Sequence, residues 1–257
     1  MKALNVALLV ALLAPPLAAH AADADPRRTG YDFMTPQVQA MQRDDAANPA
    51  MLAVQDGAAL WERPAGASDK SCASCHGAAA TSMRGVAARY PAFDAAQQRP
   101  LDLRQRINAC RVDHQHAAPF ATESADQLAI EGFVALQSRG MAIAPPADAR
   151  LQPAIERGAR LFNQRMGQLD FSCAQCHDDH AGQRLGGSTI PQAHPTGYPL
   201  YRLEWQAVGS LQRRLRGCMA GVRAEPFAYG APEWVELESY LARRAAGLRM
   251  DAPAVRP

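Results

Sequence analysis

An internal repeat constrains the fold of this chain more than any other feature. Four segments of the first half recur in the same order in the second half, 101 to 108 residues further on. The matched pairs are GAALW (57–61) with GARLF (158–162), SCASCH (71–76) with SCAQCH (172–177), LRQRINAC (103–110) with LQRRLRGC (211–218), and FVALQSRG (133–140) with YLARRAAG (240–247). One such match arises by chance, but four in register indicate a duplicated unit.

The stretch MAIAPPADARLQP, at 141–153, separates the two copies, and its Pro145-Pro146 pair cannot continue a helix. We therefore place the first domain at residues 51–146 and the second at residues 147–257. Residues 22–50 are polar and contain proline, and they are expected to form an N-terminal extension that wraps over the surface.

The apolar spacing within each copy is helical. Leu103, Ile107 and Cys110 fall at i, i+4 and i+7, which places them on one face of a helix. The same spacing recurs 108 residues later, at Leu211, Leu215 and Cys218. The fold class predicted from these patterns is mainly α, with two tandem domains related by duplication.

Towards the C-terminus a further helix is expected to begin at Pro232-Glu233. Its apolar stripe would consist of Trp234, Leu237 and Leu241. Residues 182–205 are instead rich in glycine and proline, so we expect a loop there with room for a short hairpin.

The N-terminus has the pattern of a secretory signal peptide. Lys2 precedes an apolar run over 3–14, and Ala19-His20-Ala21 is a small-x-small cleavage site. Cleavage is expected after Ala21, which makes residues 1–21 the signal peptide. The alternative is an uncleaved anchor, but the run is too short for a permanent membrane helix. The mature chain is thus expected to be exported without a membrane anchor. Export would place the chain in an oxidising compartment, where free thiols tend to be paired, catalytic or bound.

The composition narrows the range of partners. The formal net charge is +2, so no strongly basic surface is indicated and no nucleic-acid partner is expected. Aromatic residues make up 6% of the chain, which argues against a large aromatic core unless a bulky prosthetic group fills it.

Each copy carries C-x-x-C-H, the attachment motif of c-type haem. The motif residues are Cys72, Cys75 and His76 in the first copy, and Cys173, Cys176 and His177 in the second. Two thiols at this spacing can form thioethers to the haem vinyl groups, and the adjacent histidine then lies under the iron. A thioredoxin-type redox pair lacks its strand–helix–strand context here, and a zinc site leaves both histidines unexplained. We therefore predict two cytochrome c-like domains with two covalent haem c groups.

The second axial ligand of each iron is less obvious. Methionine or histidine is the common choice, but none aligns between the copies downstream of the motifs. The residues that do align are Cys110 and Cys218. Three interpretations remain open: a disulfide between them, two inert buried thiols, or a thiolate ligand on each iron. A thiolate would lower the reduction potential, which suits a reaction centre better than a rapid carrier.

An arginine precedes each of these cysteines by four residues, as Arg106 and Arg214. Residues at this spacing are neighbours on a helix, so a guanidinium could stabilise a thiolate or bind an oxyanion. The alternative is an ordinary solvated arginine. The second site has the larger number of arginines and is the better candidate for chemistry on an anion. The two groups are Arg104, Arg106 and Arg111 in the first copy, and Arg213, Arg214, Arg216 and Arg223 in the second.

Two C-x-x-C-H motifs combined with two later R-x-x-x-C elements resemble the SoxA family of dihaem cytochromes. The resemblance covers essentially the whole mature chain. It runs through GYDFMTPQVQAMQRDD (30–45), SMRGVAARYPAFD (82–94), SCAQCHDDHAGQRLGGSTIPQAHPTGYPLYRLEWQ (172–206) and LQRRLRGCMAGVRAEPFAYG (211–230). It implies that Cys110 and Cys218 are the distal iron ligands. It further implies that Cys218 is the active-site residue, found as a persulfide, and that Arg214 binds the substrate.

The activity implied by the resemblance is periplasmic. Thiosulfate is conjugated oxidatively to a cysteine of the SoxYZ carrier protein, which makes the enzyme an L-cysteine S-thiosulfotransferase. Two electrons pass through haem to another cytochrome c. The usual partner is SoxX, a monohaem cytochrome c, with which a SoxA-like chain forms a heterodimer. The main alternative is a non-catalytic dihaem electron-transfer cytochrome c. A haem-based sensor would need an output domain, and a dihaem peroxidase would need an open iron face.

Overall fold

The structure is a computed structural model that describes residues 25–257. The predicted signal peptide at 1–21 lies outside the described residues. The α-helices of the described part are α1 (Pro36–Arg43), α2 (Ala50–Glu62), α3 (Cys72–His76), α4 (Ala79–Ser82), α5 (Leu103–Cys110), α6 (Ala125–Leu136), α7 (Gln152–Asn163), α8 (Leu211–Gly221) and α9 (Pro232–Arg244). The strands are β1 (Ala92–Asp94), β2 (Arg99–Leu101), β3 (Arg184–Leu185), β4 (Ser188–Thr189), β5 (Leu200–Arg202), β6 (Ala207–Gly209) and β7 (Ala254–Arg256). Within residues 25–257, no helix has both the length and the apolar character needed to cross a membrane.

Each half is built around one pair of closely packed helices, α2 with α6 and α7 with α9. A glycine makes the close approach possible in both pairs. A Cβ on Gly57 would overlap the carbonyl oxygen of Ala129, and a Cβ on Gly158 would overlap that of Glu236. Both glycines belong to the GA-x-L-aromatic repeat. The mainly α fold predicted from the sequence is therefore confirmed, and the equivalent glycines make equivalent contacts in the two halves.

Side-chain caps at matching positions fix where the helices of the site begin. The Gln105 backbone N–H donates to Asp102 at 2.7 Å, which caps α5. The Arg213 backbone N–H donates to Ser210 at 3.1 Å, which caps α8. Such a cap satisfies a backbone donor that the first helical turn leaves free. The two cysteine-bearing helices therefore start at equivalent points, as the repeat predicts.

The predicted C-terminal helix is confirmed as α9, which begins at Pro232. Trp234, Leu237 and Leu241 are all buried and form one core together with Phe162. This core belongs to the second half of the chain.

The core of the first half includes a contribution from the second. Trp61 and Ile130 pack in the same cluster as Met250 and Ala252, which follow α9. A backbone hydrogen bond between the halves supports this arrangement, because the Gly140 N–H donates to the Met250 carbonyl at 2.7 Å. The two halves therefore share apolar surface and are not linked by a bare tether.

Short strands lie between the haem-binding motifs and the cysteine helices. β1 pairs with β2 in the first half, and β5 pairs with β6 at equivalent register in the second. β5 also pairs in parallel with β7, which gives a three-stranded sheet. The stretch at 182–205, expected to be a loop with a hairpin, contains the β3–β4 hairpin and all of β5.

A buried polar cluster joins the two halves. The Arg104 guanidinium lies 2.9 Å from Asp102, 2.7 Å from Glu238 and 4.0 Å from Glu131. Gln212, the equivalent of Arg104 in the second copy, donates to Asp102 at 3.1 Å. Burial above all raises the pKa of Glu131 to about 8 and that of Glu238 to about 7, although the Arg104 charge opposes this. Arg104 is thus an inter-domain residue and does not line the cavity that contains Cys110.

The N-terminal segment lies along the second half. The Arg28 carbonyl accepts a hydrogen bond from His194 Nδ1 at 2.6 Å, and the Val255 N–H donates to Gln42 at 3.1 Å. Residues Gly30, Phe33 and Met34 reach the cavity that contains Cys218. The segment therefore forms part of the wall of the second site.

Candidate functional site

The first site is a cavity of about 620 Å³ between the C-x-x-C-H turn and α5. Cys72, Cys75 and His76 line one side of it, and Cys110 lines it from α5. The remaining lining is largely apolar and includes Leu103, Ile107, Ile130 and Val134. A flat apolar macrocycle with two vinyl groups and an iron needs this combination of volume, paired thiols and an imidazole. The residues present fit a haem c group.

One of the two arginines that line the first site is paired with a carboxylate. Arg106 forms an ion pair with Asp94 at 2.9 Å, and the Asp94 side chain is only 10% exposed. Burial raises the pKa of the Cys110 thiol, and the charge of Arg106 offsets this only in part. The environment of Cys110 therefore favours the neutral thiol, as long as no metal binds it.

In the second site the imidazole of His177 has a fixed orientation. Its Nδ1 lies 2.7 Å from the carbonyl oxygen of Pro191. A carbonyl oxygen can only accept, so Nδ1 must carry the proton. That tautomer leaves the other ring nitrogen free to bind a metal, and a carbonyl partner of this kind commonly orients ligating histidines.

The Cys218 thiol lines the same cavity as the His177 imidazole, which acts to lower the pKa of the thiol. An iron between these two groups would have one nitrogen and one sulfur ligand. Cys173 and Cys176 precede His177 by four residues and by one residue, and both are half-buried. The donor set therefore fits a second haem c group. The cavity beside Cys218 is smaller than the first, at about 140 Å³.

The electrostatic surroundings of Cys218 differ from those of Cys110. Burial acts to raise the pKa of Cys218, but the hydrogen bond with His177 and the charges of Arg214 and Arg202 outweigh it. The pKa of Cys218 is consequently lowered, the opposite direction to Cys110. Thiolates are the nucleophilic and ligating form of cysteine, so this site favours the reactive state.

Only one of the arginines that the sequence groups near Cys218 lines its cavity, and that residue is Arg214. Arg213 stacks over Trp205 at 4.4 Å, and Arg216 stacks over Tyr229 at 4.3 Å. Arg223 is exposed to solvent. The prediction that these arginines surround Cys218 is therefore wrong for Arg213, Arg216 and Arg223.

The other cations of the second cavity come from strands. Arg202 of β5 and Arg256 of β7 line it beside Arg214. Tyr198 lines it too, and burial raises the pKa of its hydroxyl to about 12. These residues were not predicted from the sequence. One signal was available, because the repeat offset of 108 aligns Arg202 with Asp94.

The disulfide interpretation of the two aligned cysteines is wrong. All six cysteines are free, and Cys110 and Cys218 line different cavities. Neither belongs to an apolar core cluster, as inert packing thiols would. Across residues 25–257, no three His, Cys, Asp or Glu side chains form a group that could hold a bare metal ion. Each half instead offers one imidazole and one thiol in the same cavity, and the cavity of the first half also contains the paired thiols of its motif.

Comparisons with known proteins agree with this description. The SoxA/TsdA cytochrome c domain family matches residues 56–143 and again residues 157–250. The L-cysteine S-thiosulfotransferase subunit SoxA of Rhodovulum sulfidophilum is 37% identical over 242 residues, which are 94% of this chain and 84% of the relative. The same subunit of Pseudaminobacter salicylatoxidans is 38% identical over 229 residues, which are 89% of this chain and 80% of the relative.

A solved structure shows the same similarity in three dimensions. SoxXA from P. pantotrophus superposes with a TM-score of 0.86 at 33% sequence identity. The match covers 90% of this chain and 87% of that chain. The predicted pair of cytochrome c-like domains is confirmed, and such domains carry haem c. The chain belongs to the SoxA/TsdA cytochrome c domain family.

Proposed function

We propose that this chain is the dihaem subunit of an L-cysteine S-thiosulfotransferase, which conjugates thiosulfate to a cysteine of a carrier protein. One observation carries the proposal: the Cys218 thiol faces the imidazole of a C-x-x-C-H motif while Arg214 lines the same cavity. Relatives 37% and 38% identical are named for this activity. Cys218 is the reacting residue, and Arg214 binds the anionic substrate.

Two haem c groups are part of the proposal, one in each domain, with the domains at residues 51–146 and 147–257. Cys72 and Cys75 attach the first haem, and Cys173 and Cys176 attach the second. The iron ligands are His76 with Cys110, and His177 with Cys218. When bound, the iron supplies a one-electron acceptor within reach of the reacting sulfur atoms.

The reaction balances as an oxidation. One thiosulfate dianion and one carrier thiol form one new S–S bond, and the S–H bond of the thiol breaks. One proton and two electrons are released, and a separate cytochrome c takes up the electrons. Arg214 holds the sulfonate oxygens through charge-assisted hydrogen bonds, which leaves the outer sulfur free to react. The surroundings of Cys218 lower the pKa of its thiol, which favours the thiolate form.

The partners follow from the same proposal. The related SoxXA structure supports a SoxX-like monohaem cytochrome c as the second subunit of a heterodimer. The sulfur acceptor is a SoxYZ-like carrier protein, and the electron acceptor is another cytochrome c. The signal-peptide pattern of residues 1–21 supports export to the periplasm.

Replacement of Cys218 tests the proposal. Cys218→Met supplies another sulfur ligand, so the haem content and the reduced absorption spectrum with a chemical reductant should persist. Thiosulfate-dependent modification of the carrier thiol should be lost. Mass spectrometry of the wild-type peptide that contains Cys218 should show an added sulfur atom after exposure to thiosulfate. Full transfer activity in Cys218→Met would instead favour the non-catalytic electron-transfer cytochrome.

A further inference from the structure

The two copies differ in charge at one strand position that faces the aligned arginine. Asp94 ends β1 and Arg202 ends β5, and these residues are equivalent at the repeat offset of 108. In the first copy Asp94 forms an ion pair with Arg106. In the second copy the residue in this place is a second cation beside Arg214. The duplication has therefore kept the arginine of the cysteine helix and inverted the charge of its neighbour.

Arg202 and Arg214 face the same small cavity as Cys218. Arg202 is 9% exposed. Burial lowers its pKa first, and the positive charge of Arg214 lowers it further, which shows that the two guanidinium groups are close. Two buried cations side by side repel each other unless an anion is placed between them.

Arg202 does have one acidic partner, Glu204. The Arg202 Nε and Nη2 atoms lie 2.8 and 2.7 Å from Glu204 Oε2. The Glu204 side chain is 65% exposed, so water screens its charge. In the first copy the carboxylate is the buried partner, since Asp94 is 10% exposed and Arg106 is 43% exposed. Within residues 25–257, Arg214 forms no ion pair with any carboxylate. Arg214 therefore keeps a charge that its equivalent in the first copy, Arg106, shares with Asp94.

Thiosulfate carries two negative charges, and its sulfonate group presents three oxygen atoms. One guanidinium can hold two of these oxygens in a bidentate arrangement, which leaves further acceptor sites for a second guanidinium. The charge and donor count of the Arg202–Arg214 pair therefore match a dianionic sulfur oxyanion. A haem propionate is another anion that an arginine could bind, and the experiment separates the two.

We infer that Arg202 is a second substrate-binding residue, which holds the thiosulfate dianion together with Arg214. The inference deepens the proposed function and rests on it for the identity of the anion. Arg202 binds the substrate and takes no part in bond formation, so its loss affects affinity more than turnover.

The test uses the haem-loaded heterodimer with Arg202→Gln. The KM for thiosulfate should rise about ten- to a hundredfold, because a charge-assisted hydrogen bond is lost, while kcat changes much less. Equilibrium binding of thiosulfate to the oxidised complex, with the carrier omitted, should weaken by a similar factor. Arg202→Lys should recover part of the affinity, because it restores the charge without the bidentate fork.

Arg213→Gln is the matched control, since it removes one positive charge from the neighbouring helix α8 but lies outside the cavity lining. Its KM and binding constant should stay within about twofold of wild type, because its guanidinium stacks over Trp205 and does not line the cavity. Equal losses in Arg213→Gln and Arg202→Gln would show a general charge effect and overturn the inference.

The outcomes distinguish this inference from the proposed function. Unchanged thiosulfate binding in Arg202→Gln, with transfer intact in wild type, overturns the role of Arg202 alone. A shifted haem reduction potential with unchanged thiosulfate binding assigns Arg202 to a propionate and also overturns it. A wild-type complex that binds thiosulfate through Arg202 but never modifies the carrier overturns the proposed function and supports the inference.

Discussion

Cys110 and Cys218 occupy equivalent positions, but the side chains around them shift the pKa values of the two thiols in opposite directions. Cys110 lies beside an arginine that Asp94 neutralises, and burial raises its pKa. Cys218 shares its cavity with His177 and two arginines, and its pKa is lowered. This difference supports the proposed roles, in which Cys110 is a ligand only and Cys218 is a ligand that also reacts.

Thiolate ligation can be checked at this scale by electron paramagnetic resonance of the oxidised protein. Both irons should give low-spin signals of the histidine–thiolate type, because each imidazole shares its site with a cysteine. Cys110→Met should replace one of the two signals with a histidine–methionine type and leave the other in place. Histidine–methionine signals at both irons of the wild-type protein would contradict the assignment.

The sequence predicted the residues of the second site that belong to motifs, and the structure brings Cys218, His177 and Arg214 together. It did not predict Arg202 or Arg256. These residues end strands three residues long, in stretches too short to show an alternating pattern. Where such a side chain points depends on the sheet it joins, which is a tertiary property.

Among the secondary-structure elements, the helix pairs α2–α6 and α7–α9 depend on the glycines at their crossings. Of these four helices the sequence predicted α9, whose apolar spacing is regular and which begins at the expected proline. It could not predict the crossing contacts of Gly57 and Gly158, since those involve helices that follow about seventy residues later. Nor could the sequence predict the β1–β2 and β5–β6 hairpins, because strands of three residues carry no clear periodicity.

Gly158→Ala tests the close packing of α7 on α9. The added Cβ would overlap the Glu236 carbonyl, so the free energy of unfolding should fall by about 1–3 kcal/mol. Gly217→Ala on α8 is the control, because its Cβ would meet open space. It should raise the free energy of unfolding by up to about 1 kcal/mol through helix propensity. Chemical denaturation followed by circular dichroism measures both, and equal effects of the two substitutions would rule out the packing explanation.

The buried cluster around Arg104 shapes the molecule as a whole. One cation faces three carboxylates, Asp102, Glu131 and Glu238, at the junction of the two halves. One Glu131 oxygen is buried without a hydrogen-bond partner, as suits a carboxyl group that stays protonated. No sequence pattern indicates this cluster, because its members come from both copies and meet only after the halves dock.

The cluster predicts how stability depends on pH. The pKa of Glu131 rises from 4.5 to about 8 on folding, so the folded state keeps a proton that the unfolded chain has lost between these values. The stabilisation is complete below pH 4.5 and is lost as the pH rises through 8, by at most about 1.4 kcal/mol per pH unit. Glu131→Gln should therefore show a shallower decline in the free energy of unfolding from pH 5.5 to 8, measured by chemical denaturation at several pH values. A slope equal to that of wild type would mean that Glu131 is already ionised in the folded protein.

The wall of the second cavity contains both Gly30 and Arg256, which lie near opposite ends of the described chain. The C-x-x-C-H turns, by contrast, are local and need only a few consecutive residues. The proposed haem attachment therefore depends on local sequence, whereas the wall of the cavity beside Cys218 is complete only when residues 30 and 256 are both in place. A truncation at either end of the described chain would open this cavity while leaving both motifs intact.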